Sequence, residues 1–281
     1  MADQFSISRQ GYYKLINKKE VSSTEDDFIK NNVMKIRRIM PRVGGRKLLH
    51  ILRPLLQMEG LKYGRDNFFD LLRKERMLVP KKTNYLTTTR SYKRFRKHPN
   101  RIKDLDISKP EQVWVSDITY IKTKQGYMYL SIITDAYSKK IVGYKLAENM
   151  KTENNIDALN MALNNRRYPK RKLIHHSDRG FQYCSNQYTS LLENNKIKIS
   201  MTTKYDPYEN AVAERVNGTL KNEFLISNNR LAKQEAQQVV KESIHTYNYL
   251  RPHMSCEYLT PVQAHDGAKF KMKTYSISKT I

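Results

Sequence analysis

The spacing of apolar and polar positions divides this 281-residue chain into a helical front and a longer region where strands and helices alternate. Residues 1–22 are polar and unpatterned, and read as an arm that is partly helical or ordered on binding. From Ser23 the text turns helical: Phe28, Ile29, Val33, Ile36 and Ile39 recur at helical spacing. Ser23 or Thr24 can cap this helix, and Glu25, Asp26 and Asp27 suit a first turn. Pro41 and Gly44-Gly45 break it, and a second helix is predicted from Arg46 to about Glu59 on Leu48, Leu49, Leu52, Leu55 and Leu56. Pro54 conflicts with that helix and predicts a kink or an earlier end, because proline has no N–H to donate. Gly60 ends it, and a third helix is predicted over about Arg65–Arg76 with Phe68, Phe69, Leu71 and Leu72. The short connection Gly60–Gly64 suits a helix-turn-helix, whose second helix enters a DNA groove by its N-terminal end, here Arg65, Asp66 and Asn67. The same spacing is met equally by three helices that merely pack together.

After residue 106 the period changes to that of strands. Val113–Lys122, Tyr127–Thr134 and Ile141–Leu146 are apolar, β-branched or aromatic runs joined by short turns, and predict an antiparallel meander. A helix is predicted over Thr152–Asn165, a fourth strand over Lys172–Ser177, a helix over Ser185–Asn195 and a fifth strand over Ile197–Met201. A further helix follows over about Tyr208–Leu225. This β-β-β-α-β-α-β-α order is that of an α/β, ribonuclease-H-like fold: a mixed five-stranded sheet with flanking helices, here preceded by a small all-α helix-turn-helix domain. Thr260-Pro261 reads as the cap and first residue of a last short helix.

Charge changes the picture next. The formal net charge is +25 and the pI near 9.9, a single-sign field whose usual partner is a polyanion. A ribosomal-type RNA binder or a membrane-surface protein would share it. The run Ser91–Lys103 is basic with interleaved aromatics, and Lys93, Arg94, Arg96 and Lys97 in it are expected to contact phosphates without reading sequence. No run approaches the roughly 20 apolar residues of a spanning helix, and the first residues lack the form of a signal peptide. The two cysteines, Cys184 and Cys256, are far apart, so reduced thiols in a cytoplasm are expected. A zinc-binding domain of retroviral type ahead of the core is excluded, since no cysteine precedes Cys184.

Three acids supply the candidate chemistry. Asp117 lies inside the first strand, Asp178 ends the fourth, and Glu214 lies on the helix that follows the fifth. A carboxylate inside an apolar strand is costly unless something positive holds it. Acids from two strand ends and a helix form an oxygen-ligand cage for Mg²⁺ or Mn²⁺. Two such ions activate an oxygen nucleophile and stabilise the leaving oxygen of an in-line phosphodiester attack. On the Glu214 helix, Val212, Val216, Leu220 and Phe224 form an apolar stripe, while Asn210, Glu214, Asn217 and Lys221 recur on the other side. Lys221 is therefore within reach of whatever Glu214 reaches, or is simply a surface lysine paired with a glutamate.

The text around these acids carries a resemblance. Ser116-Asp117-Ile118-Thr119-Tyr120, His176-Ser177-Asp178-Arg179-Gly180-Phe181-Gln182-Tyr183 and Glu209-Asn210-Ala211-Val212-Ala213-Glu214-Arg215 occur in that order. Thr219-Leu220-Lys221-Asn222-Glu223, Tyr247-Asn248, Arg251-Pro252-His253 and Thr260-Pro261 follow. Together they resemble transposases of the insertion-sequence three family, specifically the second-reading-frame product with its integrase-like core. The likeness spans about Lys109–Gly267 and extends more weakly upstream to about Gly44. It implies a DDE enzyme that nicks the ends of its own element and joins the freed 3′-hydroxyl to another DNA strand, through a circular intermediate. Asp117, Asp178 and Glu214 would be catalytic and hold two Mg²⁺ ions, for which Mn²⁺ can substitute. Lys221 would touch terminal DNA, and the likeness favours the DNA-binding reading of Arg65 and Asn67. Double-stranded DNA, at element ends and target, is the implied partner, bound by a homo-oligomer. An upstream-frame protein or a frameshift fusion is implied too, with a leucine zipper for which no heptad run is found in this chain. The expected location is the bacterial cytoplasm, at the nucleoid. Glu209 departs from the family, which usually has Asp there; the charge is kept.

The expected organisation is an arm over 1–22, a helix-turn-helix-like DNA-binding domain over 23–80, a basic linker over 81–106, the integrase catalytic core over 107–269 and a basic tail over 270–281. Tyr247, Asn248, Arg251 and His253 would shape either the active-site rim or a dimer contact. His175, His176 and Arg179 flank Asp178 as supporting residues. Two other functions fit the sequence less well. A non-catalytic DNA-binding regulator is disfavoured by the intact acids. A ribonuclease acting on RNA–DNA hybrids would explain neither the helices upstream nor the thirty-five residues between Asp178 and Glu214.

Overall fold

The computed structural model describes residues 9–80, 98–203, 210–227 and 231–270, and the chain divides into two units between Pro80 and Lys81. The first unit is three helices, α1 (Arg9–Ile39), α2 (Gly45–Met58) and α3 (Arg65–Lys74). Ile29, Val33, Leu48, Leu52, Phe68 and Leu72 are among its buried core residues, so the helical spacing of the apolar residues does what it predicts. Pro54 sits inside α2 without ending it.

The expected helix start and cap at Ser23 or Thr24 need correction, because α1 begins at Arg9; helix within residues 9–22 accords with a partly helical arm. From Tyr12 to Ile39 no glycine or proline interrupts the chain, so nothing local stops the helix from extending past the expected cap. The acids assigned to a first turn have another use: Asp26 accepts a 2.6 Å hydrogen bond from the Tyr63 hydroxyl and lies 3.4 Å from Lys74. Both α2 and α3 end with the residue after the cap in a left-handed conformation. Gly60 (φ 68°) and Arg76 (φ 53°) occupy these positions, and the next N–H, of Leu61 or Met77, returns to the carbonyl of Leu56 or Leu72.

The second unit is built on five strands, β1 (Val113–Thr123), β2 (Gly126–Asp135), β3 (Ile141–Ala147), β4 (Ile174–Ser177) and β5 (Lys198–Met201). Their order in the sheet is β3-β2-β1-β4-β5, antiparallel through β3, β2 and β1 and parallel from β1 to β4 to β5. This is the mixed ribonuclease-H-like sheet. The helices are α4 (Thr152–Asn164), α5 (Phe181–Cys184), α6 (Asn186–Asn194), α7 (Ala211–Glu223), α8 (Lys233–Tyr249) and α9 (Pro261–His265). On one face Trp114, Ile133 and Ile199 pack with Leu159, Tyr188 and Leu192 of α4 and α6. On the other, Val113, Val115 and Ile174 pack with Ala213 and Val212 of α7. At Gly143 on β3 a Cβ atom would stand 2.1 Å from the Ala158 carbonyl oxygen, so α4 can lie this close only over a glycine. Among the described residues no helix is long and apolar enough to cross a membrane.

Two features extend beyond the sequence reading. Residues 98–106, expected in the linker, lie against the core: Ile102 and Leu105 pack beside Val113 and Val115. Arg101 donates its N–H to Ser200 Oγ and its Nε–H to the Ile199 carbonyl, along edge strand β5. Helix α8 buries Ala236, Val240, Ile244 and Tyr247, a helical spacing the sequence reading left unassigned.

A buried polar knot fastens the end of this unit to its start. Glu111 is fully buried in a left-handed conformation (φ 56°), and its N–H donates 2.7 Å to Asp135 Oδ2. Its carboxylate accepts from the Arg167 N–H at 2.6 Å, the Tyr168 N–H at 3.1 Å and Arg166 Nε at 3.2 Å, and stands 3.5 Å from His265 Nε2 of α9. Burial pushes this carboxyl up, but His265, the two N–H groups and Arg166 outweigh it and hold the pKa at about 2. The folded value lies below the unfolded one, so the stabilisation is complete above pH ~4.5 and is lost as pH falls toward 2. Thermal unfolding against pH should show a loss across that window of about 3 kcal/mol. Glu111→Gln should remove this dependence and lower stability at pH 7; an unchanged pH profile in the variant would place the dependence elsewhere.

Candidate active site

The register of β1 and β4 brings the two aspartates together. Val113, Trp114 and Val115 pair with Ile174, His175 and His176 in parallel. Carried two residues further, the same offset places Asp117 opposite Asp178. Alternation puts both side chains on the face of Val113 and Ile174, the face covered by α7. Both lie just beyond the paired stretch, near enough for the charge of Asp178 to act on Asp117.

Asp117 is half-buried. Burial, and next the charge of Asp178, push its pKa up to about 7, with a smaller push from Glu214. Hydrogen bonds from Asn217 and the Ile118 N–H act in the opposite direction. Asp178 is more open, yet crowding by protein still raises its pKa, against the Gly180 N–H that donates 2.9 Å to its Oδ1.

Helix α7 is fixed to β1 by two amides. Asn217 Nδ2 donates 2.7 Å to Asp117 Oδ2, and Asn210 Nδ2 donates 3.2 Å to the Ser116 carbonyl. Both asparagines are buried. They are seven residues apart, two helical turns, and Glu214 lies between them on the same side of the helix. Glu214 is exposed, and burial raises its pKa. Among the described residues no three His, Cys, Asp or Glu side chains already form a group that could hold an ion. Glu214 is thus the outermost of the three acids, and the segment just before α7, residues 204–209, lies outside the described residues. The donor set is entirely carboxylate oxygen, which suits a hard cation such as Mg²⁺, and a cation between Asp117 and Asp178 would relieve their mutual repulsion.

Lys221 is half-buried one turn beyond Asn217, its Nζ 4.2 Å over the Tyr120 ring. Burial lowers its pKa, and Asp117 raises it. Arg65 and Asn67 are exposed in the first turn of α3, where Arg65 Nε pairs with Asp66 Oδ1 at 2.9 Å. Lys93, Arg94, Arg96 and Lys97 lie outside the described residues. Asn217 and Asn210 were not singled out as site residues from the sequence; their helical phase with Glu214 was the available signal.

The neighbours of Asp178 are occupied in holding the fold. His175 Nε2 lies 2.9 Å from the Tyr188 hydroxyl, and burial, then the charge of His176, lower its pKa to about 3. His176 Nδ1 lies 2.9 Å from Ser200 Oγ, and Arg179 donates to the Thr203 carbonyl. The block near residue 250 is interior too: Asn248 donates to the Ile141 carbonyl and accepts from its N–H, both at 2.9 Å. Arg251 grips both carboxylate oxygens of Glu223 at the end of α7.

A ribonuclease-H-like sheet with one acid inside β1, one just after β4 and one on the helix that follows β5 is the arrangement of an integrase-type core. The integrase core domain family matches residues 107–207, and a second integrase core domain family matches residues 195–261. The insertion element IS600 uncharacterized 31 kDa protein of Shigella sonnei is 35% identical over 265 residues, 93% of this chain and 96% of that protein. Transposase InsF for insertion sequence IS3A of Escherichia coli (strain K12) is 35% identical over 162 residues, 57% of this chain and 56% of InsF. Among solved structures, the HTLV-2 integrase catalytic core domain in complex with magnesium aligns with a TM-score of 0.45 and 21% identity, over 56% of this chain and 97% of that one. The chain belongs to the transposases of the insertion-sequence three family, enzymes of the transposase and integrase class.

The raised pKa of Asp117 has a stability consequence. Between pH ~4 and 7 the folded protein keeps a proton that the unfolded chain releases, so rising pH destabilises the fold through that window. In metal-free buffer at pH 8, Asp117→Asn should therefore melt later than the parent, by about 1 kcal/mol or more, with the gap closing toward pH 4. Added Mg²⁺ should raise the melting temperature of the parent and not of the variant. A variant less stable than its parent at pH 8 would count against carboxylate repulsion.

Proposed function

We propose that the chain nicks the ends of its insertion sequence and joins the resulting 3′-hydroxyl to a second DNA strand. The observation that carries this is the closeness of Asp117 and Asp178 beyond the paired ends of β1 and β4, where the charges of Asp178 and of Glu214 on α7 both act on Asp117. A site of this kind is costly unless it serves a cation. Asp117, Asp178 and Glu214 would hold divalent ions, two Mg²⁺ in the cell, with Mn²⁺ able to substitute. Bound there, such ions deprotonate an attacking oxygen and neutralise the leaving one.

The chain's own residues then divide the work. Asn217 fixes the orientation of Asp117, and Glu214 meets the aspartates from α7. Lys221 offsets phosphate charge beside them. In the first step a water oxygen attacks the phosphorus at the element end, and the bond to the 3′-oxygen breaks, leaving a 3′-hydroxyl. In the second, that hydroxyl attacks another phosphodiester, whose 3′-oxygen leaves. No Ser, Tyr or Cys need become linked to DNA. Double-stranded DNA at element ends and target is the partner, engaged by a homo-oligomer in the bacterial cytoplasm at the nucleoid. An upstream-frame protein, separate or fused by frameshifting, completes the assembly. Lys93, Arg94, Arg96 and Lys97 contact phosphates, each contact adding about −0.9 to the slope of log K against log salt. Relatives that include an insertion-element protein and an insertion-sequence transposase support this reading.

Cleavage and strand transfer on cognate ends test it, with and without the upstream protein. Asp117→Asn, Asp178→Asn and Glu214→Gln should each lose nearly all of both activities, because an amide is a poor metal ligand, while duplex binding survives on Lys and Arg elsewhere. Ca²⁺ should permit binding with little chemistry. Robust end cleavage by Glu214→Gln, or activity in excess EDTA, would remove the reading.

Recognition of the ends is assigned to the 23–80 domain, through α3. Arg65→Ala or Asn67→Ala should reduce the preference for end DNA over random DNA, by about 1–3 kcal/mol if a base contact is lost. Full discrimination by both folded variants in a competition binding assay would make these helices packing elements only.

A further inference from the structure

The far half of β1 presents aromatic surface to solvent beside the acids. Tyr120 and Tyr127 are 53% and 51% exposed, and their rings meet edge to face at 5.6 Å. Tyr120 is paired across the hairpin with Tyr129, two residues from Tyr127, so all three share one face. Lys221 Nζ over the Tyr120 ring is also close enough to Asp117 to feel its charge. Tyr120 is three residues along the strand from Asp117, about 10 Å, and alternation turns its side chain to the other face of β1; Lys221, at the edge of β1, meets the ring and feels the charge of Asp117.

This stretch lies where the sheet opens. Beyond Val115, β1 has left β4 behind. On that edge Asn210 reaches the Ser116 carbonyl and Ser227 Oγ accepts from the Lys122 N–H. Ile118–Tyr120 lie between these contacts, next to Asp117 and Lys221. The charged residues nearby are exposed lysines, Lys122 and Lys124. An apolar protein partner would want a broader and less charged surface, whereas a ring flanked by cations suits a nucleic-acid strand. Stacking on an aromatic face accepts any base, and the lysines can take the adjoining phosphates.

We propose that Tyr120, flanked by Tyr127 and Lys221, is a stacking platform for one unpaired nucleobase of the DNA strand whose phosphodiester lies at Asp117 and Asp178. The proposal rests on the DNA-joining reading and deepens it: the end is held frayed, with one base on Tyr120 and the backbone turned toward the acids. Lys221 leaves the ring face for a phosphate as the base arrives.

The test needs binding and no chemistry. The full chain in Ca²⁺ is titrated with a short duplex ending in one unpaired 2-aminopurine, and with the same duplex in which that base is paired. The parent should favour the unpaired end by on the order of tenfold and quench its fluorescence. Tyr120→Ala should bring the ratio near one and lose the quenching, while Tyr120→Phe keeps both. Tyr127→Ala removes the same edge-to-face contact but leaves the platform, and should keep the preference, which separates stacking from hairpin stability. Equal affinity of the parent for both ends would overturn the proposal, as would an undiminished preference in Tyr120→Ala. Failure of the cut-and-join reading would show instead as cleavage that survives Asp117→Asn, a result this titration does not depend on.

Discussion

Two like charges held side by side are the constraint around which the second unit is arranged. Asp117 and Asp178 follow directly on the parallel pairing of β1 with β4, and hydrogen bonds from Asn217 and from the Ile118 and Gly180 N–H groups offset only part of the upward push on their pKa values. What makes the pair tolerable is the stiffness of its frame. Trp114 and Val115 are buried on opposite faces of the strand that carries Asp117, so that strand cannot rotate its acid away. Close-packed interiors transmit such strain instead of relaxing it. The cost is held at the site, where a cation can remove it.

The rest of the unit secures the third acid. Glu214 is set by α7, and α7 is fixed at three levels: Asn210 to the β1 backbone, Asn217 to Asp117, and Glu223 to Arg251. Arg251 follows α8, and α8 is tied to β3 through Asn248. The buried Glu111 knot joins the entry of β1 to α9 through His265. In this structure the bonds of Asn248 and Arg251 in the C-terminal block go to β3 and to the end of the helix that bears Glu214.

Much of this was legible, and the parts that were not share a physical reason. The strands could be read because β-branched and aromatic runs stood between turn residues, and the acids stood out as charges in apolar text. Helix α8 carried a legible spacing, Ala236, Val240, Ile244 and Tyr247, that went unused. Glu111 could not be read: its partners Arg166, Arg167, Tyr168 and His265 are far along the chain, and a lone glutamate before a strand looks like surface. The start of the first helix was misplaced because Ser23 followed by acids satisfies a cap rule locally, while Asp26 answers instead to Tyr63 and Lys74. Asn217 was in view on the Glu214 side of its helix, but its bond to Asp117 is a tertiary event that helical phase alone does not specify.

The choice of amides beside the acids follows from the same electrostatics. Each group that touches Asp117 could in principle be a cation, which would quench the charge, or an acid, which would add to it. A buried cation bonded to Asp117 would lower its pKa and compete with a metal ion for the carboxylate. A further acid would drive the raised pKa higher and keep Asp117 protonated, and so unable to bind an ion at neutral pH. Asn217 does neither: its N–H bond orients one carboxylate oxygen and moderates the shift without supplying charge, so the other oxygen stays available. Lys221, which is close enough for Asp117 to raise its pKa, sits over Tyr120. In a chain of net charge +25, keeping lysine and arginine from pairing with Asp117 is the harder half of building this site, and Asn217 takes the place at its Oδ2 that a cation would otherwise fill.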